Sequence, residues 1–309
     1  MKELSKRIYD IVIIGGGPGG YTAALYGARA GFDTLVIERI SAGGQLAQTH
    51  WIDNYPGYEE GIDGYTLADK MKRQAERFGA ESVFTEVIRV NLEAVPKVIE
   101  TAKGVFYART VILATGANPR TLGLKEEEAL VGRGVAYCAS CDGMFYRGKT
   151  VAVIGGGNTA VEDALLLSRL AKKVILIHRR DSLSATKIYH QPLLETPNIE
   201  FRWNSVVTEF LHEEKLTGLQ IHNVATGEYE NIEADGVFVS IGRKPASELY
   251  HGQIKVDENG YVIAGEDTKT NISGVFAIGD LRTKKLRQVV TAVADGALAV
   301  SGVQEYLAE

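Results

Sequence analysis

Two cysteines are all that the 309 residues contain, and both fall in Cys138-Ala139-Ser140-Cys141. Two cannot complete a four-cysteine zinc site within one chain, and a bridge across so short a loop adds little as a staple. The pair therefore reads as redox chemistry. Positive charge is not in excess either: 34 Lys and Arg face 39 Asp and Glu, for a net charge of −5. That argues against nucleic acid or an anionic membrane surface as a partner. No apolar run approaches the ~20 residues of a membrane span. Ile11 to Ile14, the run behind the basic start, is shorter than a signal peptide needs. Aromatic residues, 8% of the chain, form no stacking ladder for nucleic acid. None of the six histidines pairs with another ligand at metal spacing, and His50, His190, His212, His222 and His251 read as surface or structural positions. These absences leave a soluble, cytoplasmic protein with room for about two domains of roughly 150 residues, large enough to bury a core unaided.

Glycine is what the chain has in plenty, 34 of 309 residues against a typical ~7%, and it marks an internal repeat. Ile11 to Gly20 (IVIIGGGPGG) recurs as Val151 to Ala160 (VAVIGGGNTA). Each copy has an apolar strand-like run, a glycine-rich turn and a helical stretch, Tyr21 to Ala30 in the first and Val161 to Leu170 in the second. A second apolar run follows in both, Thr34 to Ile37 and Val174 to Ile177. A lone G-x-G-x-x-G is a weak signal. Two copies in strand–turn–helix context, with matched downstream spacing, predict two βαβ dinucleotide-binding units. Gly15 and Gly155 permit the tight turn, and Gly17 and Gly157 let a pyrophosphate approach the backbone. Gly20 or Ala160 lets the helix pack close, with its N-terminal N–H groups facing the phosphates.

The second strands end differently. Glu38 and His178 stand at equal distances from Gly15 and Gly155, and Arg179 and Arg180 follow His178. A carboxylate accepts a hydrogen bond from a ribose 2′-hydroxyl and repels a 2′-phosphate, which an arginine pair attracts. The first site thus suits an adenosine with a free ribose, as in FAD or NAD, and the second suits NADP. Two more glycine-ended strands, Val111 to Gly116 and Val237 to Gly242, are followed by Pro119 and Pro245 and bracket the second unit as two chain crossings would. A third, Val275 to Asp280, lies near the C-terminus, where Asp280 is placed to bind a hydroxyl of the first cofactor. The expected fold is α/β, with two Rossmann-like dinucleotide-binding domains, the second inserted into the first. Residues 1–117 and 246–309 form one domain, and 118–245 the other. Leu67, Met71, Ala75 and Phe78 fall at helical spacing before Gly79 and predict a core-facing helix; Val289 to Leu307 predicts an apolar helix interrupted by Gly296 and Gly302.

Cys138 and Cys141 precede the second fingerprint strand, with Asp142 directly after them. A C-x-x-C pair cycles between dithiol and disulfide by thiolate attack, and a neighbouring carboxylate can hold or deliver the proton. NADP carries a hydride, whereas a disulfide takes two electrons. Hydride does not transfer to sulfur at useful rates, so a mediator is needed. A flavin is that mediator, which makes the first nucleotide site an FAD site.

Over nearly its whole length the sequence resembles the low-molecular-weight, bacterial-type thioredoxin reductases. The likeness rests on Gly15 to Gly20, Gly43 to Leu46 (GGQL), Asp53 to Gly57 (DNYPG), Ala114 to Ala117 (ATGA) and Cys138 to Gly143 (CASCDG). It continues through Gly155 to Ala160, His178 to Asp181 (HRRD), Gly279-Asp280 and Arg287 to Val289 (RQV). The resemblance implies a homodimeric enzyme in which NADPH reduces FAD, FAD reduces the Cys138–Cys141 disulfide, and the dithiol reduces oxidised thioredoxin. It implies that Cys141 faces the flavin, that Cys138 attacks the thioredoxin disulfide, and that Asp142 is the acid/base. FAD contacts carry over onto Gly15, Gly17, Pro18, Gly20, Glu38, Arg39, Gly44, Gln45, Asn54, Thr115, Gly116, Gly279, Asp280, Arg287, Gln288 and Val289. NADPH contacts carry over onto Gly155, Gly157, Asn158, Thr159, His178, Arg179 and Arg180. The positive end of the C-terminal helix would favour the reduced flavin. The inserted domain would rotate about the crossings near Ala117–Arg120 and Gly242–Ala246. One position departs from the family pattern: a third arginine is usual at the fourth residue after Arg180, where Ser184 stands. Losing that contact weakens the preference for NADPH over NADH by ~1–3 kcal/mol. The alternative within the same fold is an FAD-dependent reductase or oxidase of another dithiol or disulfide, a peroxiredoxin partner or a small molecule.

Overall fold

The computed structural model describes residues 7–49 and 51–308, so His50 lies outside the described residues. Contacts divide the chain into two compact units, one of Met1–Asn118 with Lys244–Glu309 and one of Pro119–Arg243. In chain order the first part holds β1 (Ile8–Ile14), α1 (Pro18–Arg29), β2 (Thr34–Glu38), α2 (Gly64–Arg77), β3 (Glu81–Phe84), β4 (Val87–Asn91), β5 (Lys97–Thr101), β6 (Gly104–Leu113) and β7 (Ala117–Pro119). Then come β8 (Val135–Ala136), α3 (Ala139–Asp142), β9 (Thr150–Ile154), α4 (Asn158–Ser168), β10 (Lys173–Ile177), α5 (His190–Leu194) and β11 (Ile199–Arg202). After β12 (Ser205–His212), β13 (Leu216–Asn223), β14 (Tyr229–Glu233) and β15 (Gly236–Val239), the chain returns through β16 (Arg243–Pro245) to β17 (Val275–Ala277) and α6 (Val289–Ala308).

The first unit is built on a seven-stranded sheet ordered β3-β2-β1-β6-β5-β4, with β17 also on β6. β1 runs parallel to β2 and β6, Ile14 lying opposite both Ile37 and Leu113. Ile11, Val12 and Ile13 are fully buried, as a continuous apolar strand between two covered faces requires. β6 is long because its first half pairs antiparallel with β5 and its second half parallel with β17. Strand alternation sorts the core into two layers. Val12, Ile14, Leu35 and Ile37 pack with Tyr250, Val262 and Leu281 of the returning segment. Ile11, Ile13, Val36 and Ile112 pack with Tyr21 and Ala23 of α1 and with Val300 and Val303 of α6. Each such buried side chain stabilises by about 1.5–3 kcal/mol, so the pattern decides which face the helices cover.

Three expectations change here. α1 and α4 begin at Pro18 and Asn158, earlier than the apolar spacing suggested, and at α1 this is because proline is pre-organised for the first helical position. Gly296 and Gly302 do not interrupt α6, which is continuous. A side chain at Gly296 would run into the Gly19 carbonyl, so its absence lets α1 and α6 touch backbone to backbone, a contact that outweighs the roughly 1 kcal/mol helix cost of glycine. Phe78 is 41% exposed, although Leu67 and Ala75 are buried as the spacing predicted. It stands just past the end of α2, where the helical period no longer aims it, under the guanidinium groups of Arg29 and Arg77.

The second unit combines a five-stranded parallel sheet, ordered β11-β10-β9-β15-β8, with the antiparallel meander β12-β13-β14. Val151, Val153, Val174 and Leu176 pack against Val161, Ala164 and Leu167 of α4. Their alternates Ala152, Ile154, Ile175 and Ile177 pack against Phe210, Leu219 and Ile221 of the meander. Ile154 lies opposite Ile177, so the glycine turn and the segment after β10 emerge together at the carboxyl end of the sheet, where α/β folds bind ligands. Within each unit the outgoing and returning chain are bonded to each other. Ala246 N–H donates to Gly116 O (2.9 Å) in the first unit, and Arg120 N–H to Gly242 O (3.0 Å) in the second.

Candidate functional site

In the first unit the glycine turn has the geometry the fingerprint demands. Gly15 takes φ +110°, and a side chain there would run into Ala114 O; one at Gly20 would run into Gly15 O. Gly17 precedes α1 without a side-chain cap, and the nearest atom to a methyl placed on it is Gly43 O at 4.0 Å. Space is thus open beside the N-cap, and behind Pro18, which has no N–H, the amides of Gly19 and Gly20 open the helix, an anion-binding arrangement. Glu38 ends β2 and is already engaged: Oε2 accepts from Gly16 N–H (2.6 Å) and Oε1 from Arg39 N–H (2.7 Å). Gly43 N–H donates to Gly16 O (2.7 Å), which brings Gly44 over the turn, 3.7 Å from Gly17 Cα by a methyl placed on it.

The other candidate flavin contacts gather around this loop and α6. Gln45 Nε2 donates to Ala117 O. Thr115 Oγ1 donates to Ala246 O (2.8 Å), beside Gly116 at φ +69°. Asn54 Nδ2 donates to Gln288 Oε1 (3.1 Å), just before Val289 opens α6. Asp280 sits in a short turn, Gly279–Leu281, whose Gly279 N–H donates to Asp295 Oδ2 (2.9 Å). Arg287 lies over the Tyr261 ring at 4.0 Å, and its Nε is buried without a hydrogen-bond partner among the described residues. An uncapped helix, an open glycine turn and an orphaned buried N–H fit a phosphate-bearing cofactor such as FAD.

The second unit repeats the turn with other support. Gly155 takes φ +145°, and a side chain there would run into Ser240 O. Gly157 precedes α4, again without a side-chain cap. Asn158 Oδ1 accepts from Thr186 N–H (2.7 Å), and Thr159 beside it is exposed. Ser184 bonds the turn twice, N–H to Gly156 O at 2.8 Å and Oγ to the same oxygen at 3.0 Å. His178 is turned inward, 7% exposed, with its ring beneath Gly156 and edge-on to Trp203. Burial, with Arg180 and Arg179 nearby and a backbone hydrogen bond at Ser182 opposing, pushes its pKa down. Arg179 and Arg180 are exposed, and neither has an ion-pair partner among the described residues. The structure thus separates three neighbours: His178 packs the turn, and the arginines are presented outward.

Cys138 and Cys141 form a disulfide, with Cα atoms 5.3 Å apart. Cys138 caps α3, and Cys141 N–H (3.2 Å) and Asp142 N–H (3.0 Å) both donate to its carbonyl. Both cysteines and Asp142 are half-buried. Tyr146, edge-on to Phe238 at 5.3 Å, anchors the following turn, and burial, with Asp142 and Asp235 nearby, pushes its pKa up to about 12. Among the described residues no cluster of His, Cys, Asp and Glu could hold a metal ion, and no helix is long and apolar enough to cross a membrane.

Three polar groups, Glu127 and Asp295 buried and Asp163 half-buried, escaped the sequence reading. Glu127, 4% exposed, accepts from Leu122 N–H, Gly123 N–H and the Tyr137 hydroxyl (2.8 Å), so it braces the residue before Cys138. Asp163 accepts from Ser240 Oγ (2.5 Å), and burial pushes its pKa up to about 6. Asp295 bonds Arg282 and Lys284. Only the last left a signal, a single charge in the otherwise uncharged stretch Val289 to Val303.

A sequence profile for pyridine nucleotide-disulphide oxidoreductases matches residues 9–296. The thioredoxin reductase of Peptoclostridium acidaminophilum is 44% identical over 308 residues, covering 98% of both chains. That of Bacillus subtilis is 42% identical, covering 98% of this chain and 96% of its own. Among solved structures, the thioredoxin reductase of Streptococcus pyogenes superposes with a TM-score of 0.92 at 42% identity, covering 98% and 99% of the two chains.

Proposed function

The chain belongs to the pyridine nucleotide-disulphide oxidoreductase family, and from that premise we infer that it is a thioredoxin-disulfide reductase using FAD and NADPH. The observation that carries the inference is the half-exposed Cys138–Cys141 disulfide, set in the same unit as a second fingerprint turn whose strand ends in an exposed arginine pair. The overall balance is NADPH, a proton and oxidised thioredoxin giving NADP and dithiol thioredoxin. A bound flavin supplies the conversion of hydride to electron pairs that sulfur itself cannot perform.

The chain's own residues do the rest. The amides at the start of α1 and α4 hold the two pyrophosphates. Glu38, fixed by Gly16 and Arg39, accepts from a ribose hydroxyl, and Arg179 and Arg180 hold the 2′-phosphate. Once reduced, Cys138 attacks a thioredoxin sulfur as thiolate, forming a mixed disulfide and releasing one thioredoxin thiolate. Cys141 then attacks Cys138 Sγ, which restores the Cys138–Cys141 bond and frees the second thiolate. Asp142 delivers or holds the proton at the departing thiol. The same reading makes the working form a cytoplasmic homodimer, which sedimentation of the purified protein tests.

Anaerobic titration with NADPH, followed by oxidised thioredoxin, tests the function. The expected result is stoichiometric bleaching of the flavin and its recovery on adding thioredoxin. Bleaching without recovery, together with oxygen consumption in the presence of a small dithiol, would assign the chain to a dithiol oxidase instead.

A further inference from the structure

Asp295 is the only charged residue between Val289 and Val303, and α6 turns it to the interior. It is 3% exposed and Arg282 is 2% exposed. Asp295 Oδ1 accepts from Arg282 Nη2 (2.7 Å); Oδ2 accepts from Arg282 Nε (2.9 Å), Lys284 Nζ (2.8 Å) and Gly279 N–H (2.9 Å). Lys284 Nζ reaches on to Thr291 O (3.3 Å), and Thr291 Oγ1 accepts from Gln288 N–H (3.1 Å). Arg282 O accepts from Arg287 Nη2 (3.3 Å). One carboxylate therefore gathers two segments: the turn that carries Asp280, and the start of α6 that carries Gln288 and Val289.

Burying three charges has a desolvation cost that their mutual attraction offsets only with full hydrogen bonding, so such a cluster is weak evidence for stability as its purpose. Apart from the bonds of Arg282 Nη1 to Ala264 O (3.4 Å) and Thr283 O (3.2 Å), the cluster's bonds end on backbone or side chains that flank the candidate flavin contacts. Arg282, Lys284 and Asp295 together sum to one formal positive charge behind the positive end of α6, with Glu266 and Asp267 also acting on Arg282.

We propose that Asp295 is a positioning residue for the flavin, locking the Gly279–Leu281 turn to the first turn of α6, and that the buried Lys284 supplies positive charge felt by the cofactor. This rests on the reading that the first unit binds FAD. Two-electron reduction adds negative charge to a flavin, so a nearby buried cation raises its potential.

The test compares the holoenzyme with Asp295→Asn, Lys284→Met and Lys284→Arg, reading FAD dissociation and the midpoint potential of the bound flavin. Asp295→Asn is expected to release FAD at least tenfold more readily. Lys284→Met, which leaves the Arg282 fork in place and so decides the question if Asp295→Asn fails to fold, should weaken FAD several-fold and move the potential to more negative values. Lys284→Arg should restore both. Wild-type FAD affinity and potential in Lys284→Met, whatever happens to thermal stability, would overturn the proposal and leave the cluster a structural brace. A wild-type protein that binds no FAD would instead remove the reading beneath it.

Discussion

In the first unit the middle glycine of the turn is held by the end of its second strand and by the segment after it: Gly16 N–H donates to Glu38, and Gly16 O accepts from Gly43 N–H. In the second unit the equivalent carbonyl, Gly156 O, accepts from the N–H groups of Ser184 and Ala185 and from Ser184 Oγ. The two turns share a backbone and differ in what secures it. Where the carboxylate at the strand end also holds the loop, Glu38 braces the turn at the position proposed to meet a ribose. Where the segment after the strand holds it without a strand-end carboxylate, the residues after the strand present cations. Ser184, which stands in place of a third arginine, thus has a second task that the sequence did not show.

The largest expected effect separates the unit that carries the dithiol from the one that does not. Cys138→Ser and Cys141→Ser should each lose thioredoxin turnover to background while keeping NADPH-driven flavin reduction. Only Cys141→Ser should trap a mixed disulfide with thioredoxin, because Cys138 can attack but nothing resolves the product. A trap formed by Cys138→Ser alone would reverse the order of the two sulfurs.

Next comes the difference between the strand ends. Replacing both Arg179 and Arg180 with neutral residues should remove two charge-assisted contacts of roughly 1.5–3 kcal/mol each. kcat/KM for NADPH should fall at least tenfold, with that for NADH nearly unchanged and bound FAD unaffected. Equal losses for the two nucleotides would show that the arginines hold the fold rather than read a phosphate.

The units also bury carboxylates in opposite ways. Asp295, beside Arg282 and Lys284, is held below the ordinary range even though burial alone would raise it. Asp163 is raised to about 6 by burial, with Glu162 adding to the rise and Ser240 and Arg243 opposing it. Its folded pKa lies above the unfolded 3.8, so ionisation costs stability, beginning above about pH 4 and complete above about pH 6. Asp163→Asn should therefore gain roughly 1–3 kcal/mol over wild type at pH 7 and little at pH 4. His178, whose pKa is lowered, acts in the reverse sense, losing stability as pH falls below its unfolded value. The measurement is thus the variant-minus-wild-type difference in thermal midpoint across pH 4–8. A difference independent of pH would remove the titration of Asp163 as its cause.

The smallest effect concerns Ser184. Ser184→Ala removes one net hydrogen bond, about 1 kcal/mol, and should weaken NADPH and NADH alike because the loop, not the phosphate, is disturbed. Ser184→Arg should favour NADPH selectively. Loss of NADPH alone in Ser184→Ala would mean that the hydroxyl already contacts the phosphate.

Much of this comparison was legible beforehand. The two turns, the contrast of Glu38 with Arg179 and Arg180, and the C-x-x-C pair are local patterns whose meaning lies within a few residues of each other. His178 shows where such reading stops. It occupies the strand-end position by count, yet it is buried because the turn between β11 and β12 places Trp203 against it and the glycine turn lies above it. Phe78 fails for a related reason: helical spacing aims a side chain only while the helix lasts.

What the amino-acid order determined by itself was the pair of strand–turn–helix units, their apolar strands and the chemistry of one dithiol, because steric limits at glycine and the periodicity of burial act along the chain. Tertiary structure alone decided which polar groups meet inside it. Asp295 finds Gly279 and Arg282, Ser240 finds Asp163, and Glu127 finds Tyr137. A buried polar group must be satisfied by whatever donor or acceptor packing brings within about 3 Å, and that neighbour is set by how the strands and helices stack, not by its place in the sequence.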